Sequence, residues 1–238
     1  MTAAPRFAAK THPGLVRPVN EDSVVALPEK GVWVVADGMG GHEAGDVASA
    51  IVTESVAMID ADLTPADTVR ALRGALQYAH ERIQHESAMR HGQTMGSTVV
   101  ALAIANGHFA CLWSGDSRLY RLQNGGLEML TTDHSVVAAL VAARQLTWDE
   151  AEHHPSANQI TNAVGVGQRV DLDKIRGEIH HGDRFLLCTD GLSKYAPQHV
   201  LEHILTTSPM ESVANRLMDL ALEGGGADNI SLIVIDID

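Results

Sequence analysis

The sequence predicts an α+β fold in which two antiparallel β-sheets pack as a sandwich, with pairs of helices on the outer faces (α-β-β-α). Two hairpin signals, Asn106-Gly107 and Asn124-Gly125-Gly126, separate short apolar or β-branched runs in the middle of the chain. Strands joined by such short turns must run antiparallel. Apolar residues at helical spacing lie before and after this meander, so we expect helices to pair early and late in one domain over residues 1–238.

The predicted strands are short runs of apolar and β-branched residues bounded by turn-forming residues. They cover residues 7–11, 22–27, 31–36, 97–105, 108–114, 117–122, 127–130, 184–188 and 230–237. The segment 132–170 is polar, rich in Asn and His, and the least regular part of the chain. We expect it to pass over an edge of the sandwich as an excursion from the two sheets.

The helices are predicted from an i, i+3, i+4 apolar rhythm and from capping residues. The first covers about 47–59, and the second follows Thr64-Pro65, where Thr caps the helix and Pro occupies its first turn. Ser208-Pro209-Met210-Glu211 has the spacing of a capping box and predicts a helix near the C-terminus. Two more helices are expected, at about 135–144 and after Thr147, which forms a second capping-box pattern with Glu150.

Composition restricts both the core and the partners. Of the 238 residues, 45% are hydrophobic but only 4% are aromatic, so Val, Leu, Ile and Ala must build the core. The net charge of −13 argues against nucleic-acid binding. Cys111 and Cys188 lie in apolar runs, which predicts buried free thiols and a reducing, cytoplasmic location. The sequence shows no secretion signal and no apolar run of membrane-spanning length, so we expect no membrane association.

Acidic motifs at the ends of apolar runs are the main functional signal. They are Asp37-Gly38-Met39-Gly40-Gly41-His42, Gly115-Asp116-Ser117, Thr189-Asp190-Gly191 and Asp228-Asn229. Carboxylates at strand ends, drawn from distant parts of a chain, suit Mg²⁺ or Mn²⁺, and glycines let the backbone approach the ions. Each motif alone is also typical of a plain turn, and for Gly115-Asp116 the turn is the stronger interpretation on spacing alone.

The segment Arg17-Pro18-Val19-Asn20-Glu21-Asp22 places one guanidinium beside two acids. A surface salt-bridge cluster is one interpretation. The other is a phosphate site, because the fork of an arginine near metal-binding carboxylates matches two phosphate oxygens.

These motifs, together with Gly96-Ser97-Thr98, occur in the order found in the metal-dependent protein phosphatases, the type 2C Ser/Thr phosphatases. The chain resembles this family from Gly14 to Ser231. Its compact size resembles a bacterial, stand-alone catalytic domain. The resemblance implies hydrolysis of phosphoserine and phosphothreonine in proteins, with segment 132–170 as a mobile flap near the active site.

The resemblance also implies a set of metal ligands. Asp37 would bridge two Mn²⁺ or Mg²⁺ ions, the Gly38 carbonyl would bind one of them, and Asp190 and Asp228 would bind the other. Asp116 and Asp190 would hold a third, weaker ion, as in bacterial members of the family.

Four other residues would complete the site by the same resemblance. Glu21 and Asp22 would hold waters bound to the ions, Arg17 would bind the phosphate, and His42 would protonate the leaving oxygen. Among the 13 histidines, His42 stands apart because it lies five residues beyond Asp37, and His134 is a distant second. Zinc is disfavoured, because the adjacent His pairs do not converge easily on one ion.

The expected partners are phosphorylated Ser/Thr proteins and a cognate Ser/Thr kinase with its substrates. Two alternatives stay open from the motifs: a pseudophosphatase that binds phosphoproteins without turnover, and a hydrolase of small phosphate esters. Asn162 stands where many bacterial relatives carry a basic residue, which bears on how the flap meets a phosphopeptide.

Overall fold

Two antiparallel sheets form the centre of the computed structural model, which describes residues 5–41, 44–61, 63–147, 150 and 154–238. The strands are β1 (Arg6–His12), β2 (Asp22–Leu27), β3 (Val32–Gly40), β4 (Met95–Ser97), β5 (Val99–Ala105), β6 (His108–Ser114), β7 (Arg118–Gln123), β8 (Gly126–Met129), β9 (Asp173–Glu178), β10 (Arg184–Cys188) and β11 (Ile230–Asp236). Sheet I has the order β1-β11-β10-β7-β8, and sheet II has the order β2-β3-β5-β6-β9, with β4 paired to β3.

Helices cover the outer faces of both sheets, and one short helix lies in the segment 132–170. The helices are α1 (Gly45–Ala57), α2 (Pro65–Met89), α3 (Val136–Ala142), α4 (Asp190–Ser193), α5 (Gln198–Thr207) and α6 (Met210–Glu223). The predicted α+β class is confirmed. Within the described residues, no helix is both long and apolar enough to cross a membrane.

The core consists of three apolar layers, and β3 shows how one strand serves two of them. Val32 and Val34 pack with the helices α1 and α2, whereas Trp33 and Val35 point between the sheets. This alternation follows the two-residue period of a strand. The third layer lies between sheet I and the helices α5 and α6. The order of layers is therefore helix, sheet, sheet, helix, as predicted.

Several local predictions are also confirmed. Thr64 caps α2 by accepting a hydrogen bond from the Asp67 N–H. Thr147 and Glu150 form the expected capping box, although the helix that would follow lies mostly outside the described residues. Cys111 and Cys188 are buried free thiols.

The sequence prediction missed β9, α5 and the short helix α4. The strand β9 has the sequence Asp-Lys-Ile-Arg-Gly-Glu, which hides its strand character because it is an edge strand with charged residues facing water. The helix α5 begins after Pro197 and buries Leu201, Ile204 and Leu205, a short helical pattern that was overlooked.

Two predicted boundaries were wrong. Ser208 does not cap α6, because Pro209 takes the cap position and the Ser208 hydroxyl accepts a hydrogen bond from Arg216 instead. The predicted strand 97–105 is two strands, because the chain leaves β4 at Thr98 before β5 starts. β4 pairs with the far end of β3, and β5 pairs with its beginning.

The apolar layer beneath α2 predicts a large stability difference along one helix. Leu72 is fully buried, so Leu72→Ala should lower the free energy of unfolding by about 2–5 kcal/mol through lost contacts and the cavity left behind. Met89 lies at the end of the same helix and is 69% exposed, so Met89→Ala should change it by less than about 0.5 kcal/mol. Urea denaturation of both variants tests this, and equal losses would contradict the layer assignment.

Candidate metal centre

A cavity of about 310 Å³ opens where strand ends of both sheets meet. Most of the predicted site residues line it together: Arg17, Glu21, Asp37, Gly38, Asp116, Asp190 and Asp228. Side chains that carried no predicted role also reach its wall: Met39, Thr98, Asn158, Ile160, Lys194 and Asn229. The structure therefore brings residues from distant parts of the chain into one space.

The pairing of β2 with β3 brings the first acids together. Asp22 lies directly opposite Asp37 in the antiparallel register. Asp37 faces the cavity, whereas Asp22 is buried behind its wall. The strand β3 continues past Asp37 to Gly40, so the carboxylate projects from within a strand rather than from the strand end that the sequence predicted.

Gly38 allows the strand to pass close to α1. A side chain at this position would lie 1.9 Å from the Gly45 carbonyl oxygen, which no residue but glycine tolerates. The Gly38 N–H donates to the Glu21 carbonyl at 3.0 Å and so ties β3 to the segment that carries Glu21.

Thr98, at the break between β4 and β5, holds Asp37 from the other side. Its N–H donates to the Asp37 carbonyl at 2.8 Å, and its hydroxyl oxygen accepts from the Asp37 N–H at 3.1 Å. The same hydroxyl forms a 2.7 Å hydrogen bond with Ser117, the neighbour of Asp116. Thr98 thus fixes the distance between the two acids, a role that Gly96-Ser97-Thr98 did not reveal in the sequence.

Thr189 joins sheet I to the buried acid of sheet II. Its hydroxyl donates to Asp22 Oδ2 at 3.0 Å and accepts from the Ser231 N–H at 3.0 Å. The next residue, Asp190, begins α4 and faces the cavity. Gly191 then passes so close that a side chain there would lie 1.9 Å from the Asn229 carbonyl oxygen.

Asn229 anchors the loop that carries Arg17. Its Oδ1 accepts a hydrogen bond from the Glu21 N–H at 2.8 Å. Its Nδ2 donates to the carbonyl oxygens of Pro13 and Val19, both at 2.9 Å. One buried amide therefore holds both ends of the loop against the start of β11.

Arg17 extends from that loop to the cavity and contacts Asp228 at two points. Its Nε lies 3.0 Å from Asp228 Oδ1, and its Nη2 lies 3.2 Å from Oδ2. The side chain of Arg17 remains half exposed. Its fork is therefore at the mouth of the cavity and accessible from solvent.

Lys194 is a cation in the site that the sequence prediction missed. Its Nζ lies 2.5 Å from Asp190 Oδ2 and 3.8 Å from Asp228 Oδ2. The only sequence signal was its spacing of four residues from Asp190, which is typical of a surface ion pair on a helix. Burial acts to lower the pKa of Lys194, but the nearby charges of Asp190, Asp228 and Asp116 outweigh it and raise the pKa.

Three of the acids at the cavity and behind its wall have raised pKa values. Burial, followed by the charge of Asp22, raises the pKa of Asp37 well above its usual range. Burial also raises the pKa of Asp22 to about 7, against hydrogen bonds from Ser231 and Thr189. Burial and the charge of Asp190 raise the pKa of Asp116 to about 7. Carboxylates at this density need added positive charge in order to ionise together.

The donor set fits hard divalent cations. Asp22 Oδ1 and Asp190 Oδ1 are buried without a hydrogen-bond partner, so their lone pairs are unused. Within the described part of the chain, no three carboxylate, imidazole or thiol groups stand close enough to enclose an ion unaided. Mg²⁺ typically takes only one or two protein carboxylates and keeps several waters, so an open, all-oxygen site suits it.

His42 lies outside the described residues, as does Glu43. The structure describes Gly41 on one side and Ala44 on the other, and it leaves the position of the imidazole untested. His134, the second histidine considered, accepts a hydrogen bond from the Gly115 N–H at 3.2 Å through Nδ1. It supports the loop that carries Asp116 and does not line the cavity.

Comparison with known proteins gives consistent matches. The family model described as protein phosphatase 2C matches residues 18–224. The chain is 37% identical over 238 residues to the serine/threonine protein phosphatase PstP of Mycobacterium tuberculosis. The alignment covers 100% of this chain but only 46% of PstP. The chain thus spans about half the length of that relative.

Solved structures match along nearly their whole length. PppA, a regulatory component of T6SS in Pseudomonas aeruginosa, is 41% identical with a TM-score of 0.92, covering 100% of this chain and 99% of that chain. The catalytic domain of PstP in complex with two manganese ions is 36% identical with a TM-score of 0.90, covering 98% of this chain and 99% of that chain.

The anchoring role of Asn229 predicts a local loss of order. Asn229→Ala removes three hydrogen bonds and leaves the Glu21 N–H without its acceptor, which should lower the free energy of unfolding by about 1–3 kcal/mol. Hydrogen exchange should accelerate in residues 13–21. Asn162→Ala is the control, because its amide reaches only Asp171 at 3.5 Å. Unchanged exchange in residues 13–21 would contradict the anchor.

Proposed function

Because this chain belongs to the protein phosphatase 2C family, whose members are phosphoric monoester hydrolases dependent on Mn²⁺ or Mg²⁺, we propose that it dephosphorylates serine and threonine residues of phosphoproteins. The observation that carries the proposal is the shared cavity of Asp37, Asp190, Asp228 and Arg17. It combines acids that suit two cations with a guanidinium that suits a phosphate.

Two bound Mn²⁺ or Mg²⁺ ions would supply an activated water and neutralise the phosphate dianion. In this proposal Asp37 would serve both ions, the Gly38 carbonyl would hold one, and Asp190 and Asp228 would hold the other. The fit is supported by the raised pKa of Asp37 and by the unpartnered Oδ1 of Asp190, both of which a nearby cation relieves.

Glu21 and Asp22 orient water in this proposal without binding the ions directly. Asp22 is buried behind the cavity wall and retains one unpartnered oxygen, which supports that position. Glu21 lines the cavity, and its carboxylate lies beside the backbone of Gly45.

Arg17 binds the phosphate group in this proposal. Its guanidinium already makes a two-point contact with a carboxylate, and two phosphate oxygens accept the same donor spacing. Its half-exposed side chain can turn toward a substrate at the mouth of the cavity while its loop stays anchored by Asn229.

His42 is proposed as the general acid that protonates the leaving serine or threonine oxygen. An alkoxide is a poor leaving group, and an imidazole has a pKa close to neutral, so proton donation accelerates this step. The proposal for His42 rests on its place in the Asp37–His42 motif.

The proposed partners are phosphorylated Ser/Thr proteins, including a cognate Ser/Thr kinase, in the cytoplasm. We place the whole chain in one catalytic domain, with 132–170 as the flap that contacts the phosphopeptide. Asn158 and Ile160 of this segment line the cavity, which supports the contact. The segment is attached to sheet II at Val164, which bridges Ser97 of β4.

The metal requirement can be tested with p-nitrophenyl phosphate. Hydrolysis should require added Mn²⁺ or Mg²⁺ and stop when a chelator is added. Asp37→Asn and Asp228→Asn should each lower kcat/KM by about a hundredfold or more, because each removes a ligand of the ions. Asp219→Asn, an exposed acid on α6, is the matched control and should leave the rate unchanged.

Metal-independent turnover would overturn the mechanism. A chain that binds phosphoproteins tightly but hydrolyses neither peptides nor aryl phosphates at any metal concentration would be a pseudophosphatase. Hydrolysis of aryl phosphate with no hydrolysis of phosphoserine or phosphothreonine peptides would indicate a phosphatase of small esters.

The general acid can be tested by comparing two leaving groups. His42→Ala should slow hydrolysis of a phosphoserine peptide by about a hundredfold or more, because the serine oxygen must be protonated as it leaves. p-Nitrophenyl phosphate should lose far less, because p-nitrophenolate leaves without a proton. His85→Ala, an exposed histidine on α2, is the control. Equal losses on both substrates would remove His42 from this role.

A further inference from the structure

Lys194 occupies the corner of the cavity where a third ion would be expected. Its ammonium contacts Asp190 Oδ2 at 2.5 Å and lies 3.8 Å from Asp228 Oδ2. Asp116, the other acid of that corner, lines the same cavity. A lysine therefore contacts Asp190, lies near Asp228 and shares the cavity with Asp116.

The two oxygens of Asp190 have different environments. Oδ2 is engaged by Lys194, whereas Oδ1 is buried and has no hydrogen-bond partner. A third ion between Asp190 and Asp116 would have to compete with this ammonium for Asp190. The unpartnered Oδ1 of Asp190 faces no such competition and suits the two-ion centre.

From this geometry we propose that Lys194 takes the place of the third metal ion and prevents a cation from binding between Asp190 and Asp116. The inference rests on the proposed two-metal function and narrows it: this domain works with two ions and supplies the third positive charge from its own chain. Lys194 is a positioning residue, because it acts through Asp190.

The backbone of α4 positions the Lys194 side chain for this contact with Asp190. Asp190 opens α4 and Lys194 follows its last residue, so the two side chains lie on the same side of one turn. The Lys194 N–H donates to the Asp190 carbonyl at 2.9 Å. About three fifths of the Lys194 side chain is removed from solvent, since 38% remains exposed. The ammonium is thus held in the cavity mouth by both its main chain and its charge.

The positive charge of a lysine allows it to neutralise the carboxylates in place of an ion, but it prevents an ion from binding beside it. An ammonium is a compact point charge with three donors and no acceptor, so it satisfies carboxylates and repels a divalent cation. The charge of Lys194 also favours the ionised form of Asp116, because it lowers the pKa of this acid against the burial that raises it.

The test is a count of bound Mn²⁺ per chain by equilibrium dialysis, which does not depend on activity. The unaltered chain should bind two ions and no third. Lys194→Met and Lys194→Gln, two neutral variants, should bind a third ion at least about tenfold more tightly than the unaltered chain. Lys194→Arg keeps the charge and should stay at two ions. Adding Asp116→Asn to Lys194→Met should remove the third ion again.

The inference is overturned if the unaltered chain binds a third ion as tightly as Lys194→Met does. It is also overturned if the neutral variants gain no ion and instead show a higher KM for p-nitrophenyl phosphate, since Lys194 would then be a phosphate ligand. If the proposed two-metal function itself is wrong, the result is different. The unaltered chain and Asp37→Asn would then bind the same amount of Mn²⁺.

Discussion

Mutual repulsion among carboxylates that share one cavity is the constraint on which the rest of this structure depends. Asp37, Asp190 and Asp228 face the same space, and Asp22 lies directly behind it, in a chain whose net charge is already −13. A fold that holds such a cluster must supply positive charge there. Arg17 and Lys194 provide part of it, and burial together with the other acids still raises the pKa of Asp37 well above its usual range.

Neutral side chains hold the acids in place against that repulsion. Thr98, Thr189 and Asn229 each bond to more than one segment, and none of them adds charge to the cavity. A charged support at these positions would change the electrostatic balance that favours a divalent ion. Uncharged hydrogen bonds fix the distances between the acids and leave that balance to the ligands.

Patterns that depend on local sequence predicted most of the fold. The apolar run of β3 and the Thr64 cap of α2 act over a few residues, and both were found. The strand β9 was missed because an edge strand need not be apolar on either face. The break at Thr98 was missed because it depends on which part of β3 each strand pairs with, and no local signal records that choice.

Whether a residue of the candidate site was predicted also depended on how local its sequence signal is. The acids were found because a carboxylate after an apolar run is visible in the sequence, and Thr98 and Asn229 were not assigned roles because their partners lie far away along the chain. Lys194 looked like half of an ordinary helical ion pair, and only the fold shows that Asp228 stands on its other side.

The contacts that complete the site join residues that are very far apart in sequence. Arg17 meets Asp228 across 211 positions, and Asn229 meets Pro13 across 216, while β1 and β11 lie side by side in sheet I. Contacts of this kind cost chain entropy before they contribute stability, so high contact order should make folding slow. During synthesis the loop bearing Arg17 leaves the ribosome long before its anchor, and the cavity that Arg17 lines can close only after the strand that follows Asn229 has been made.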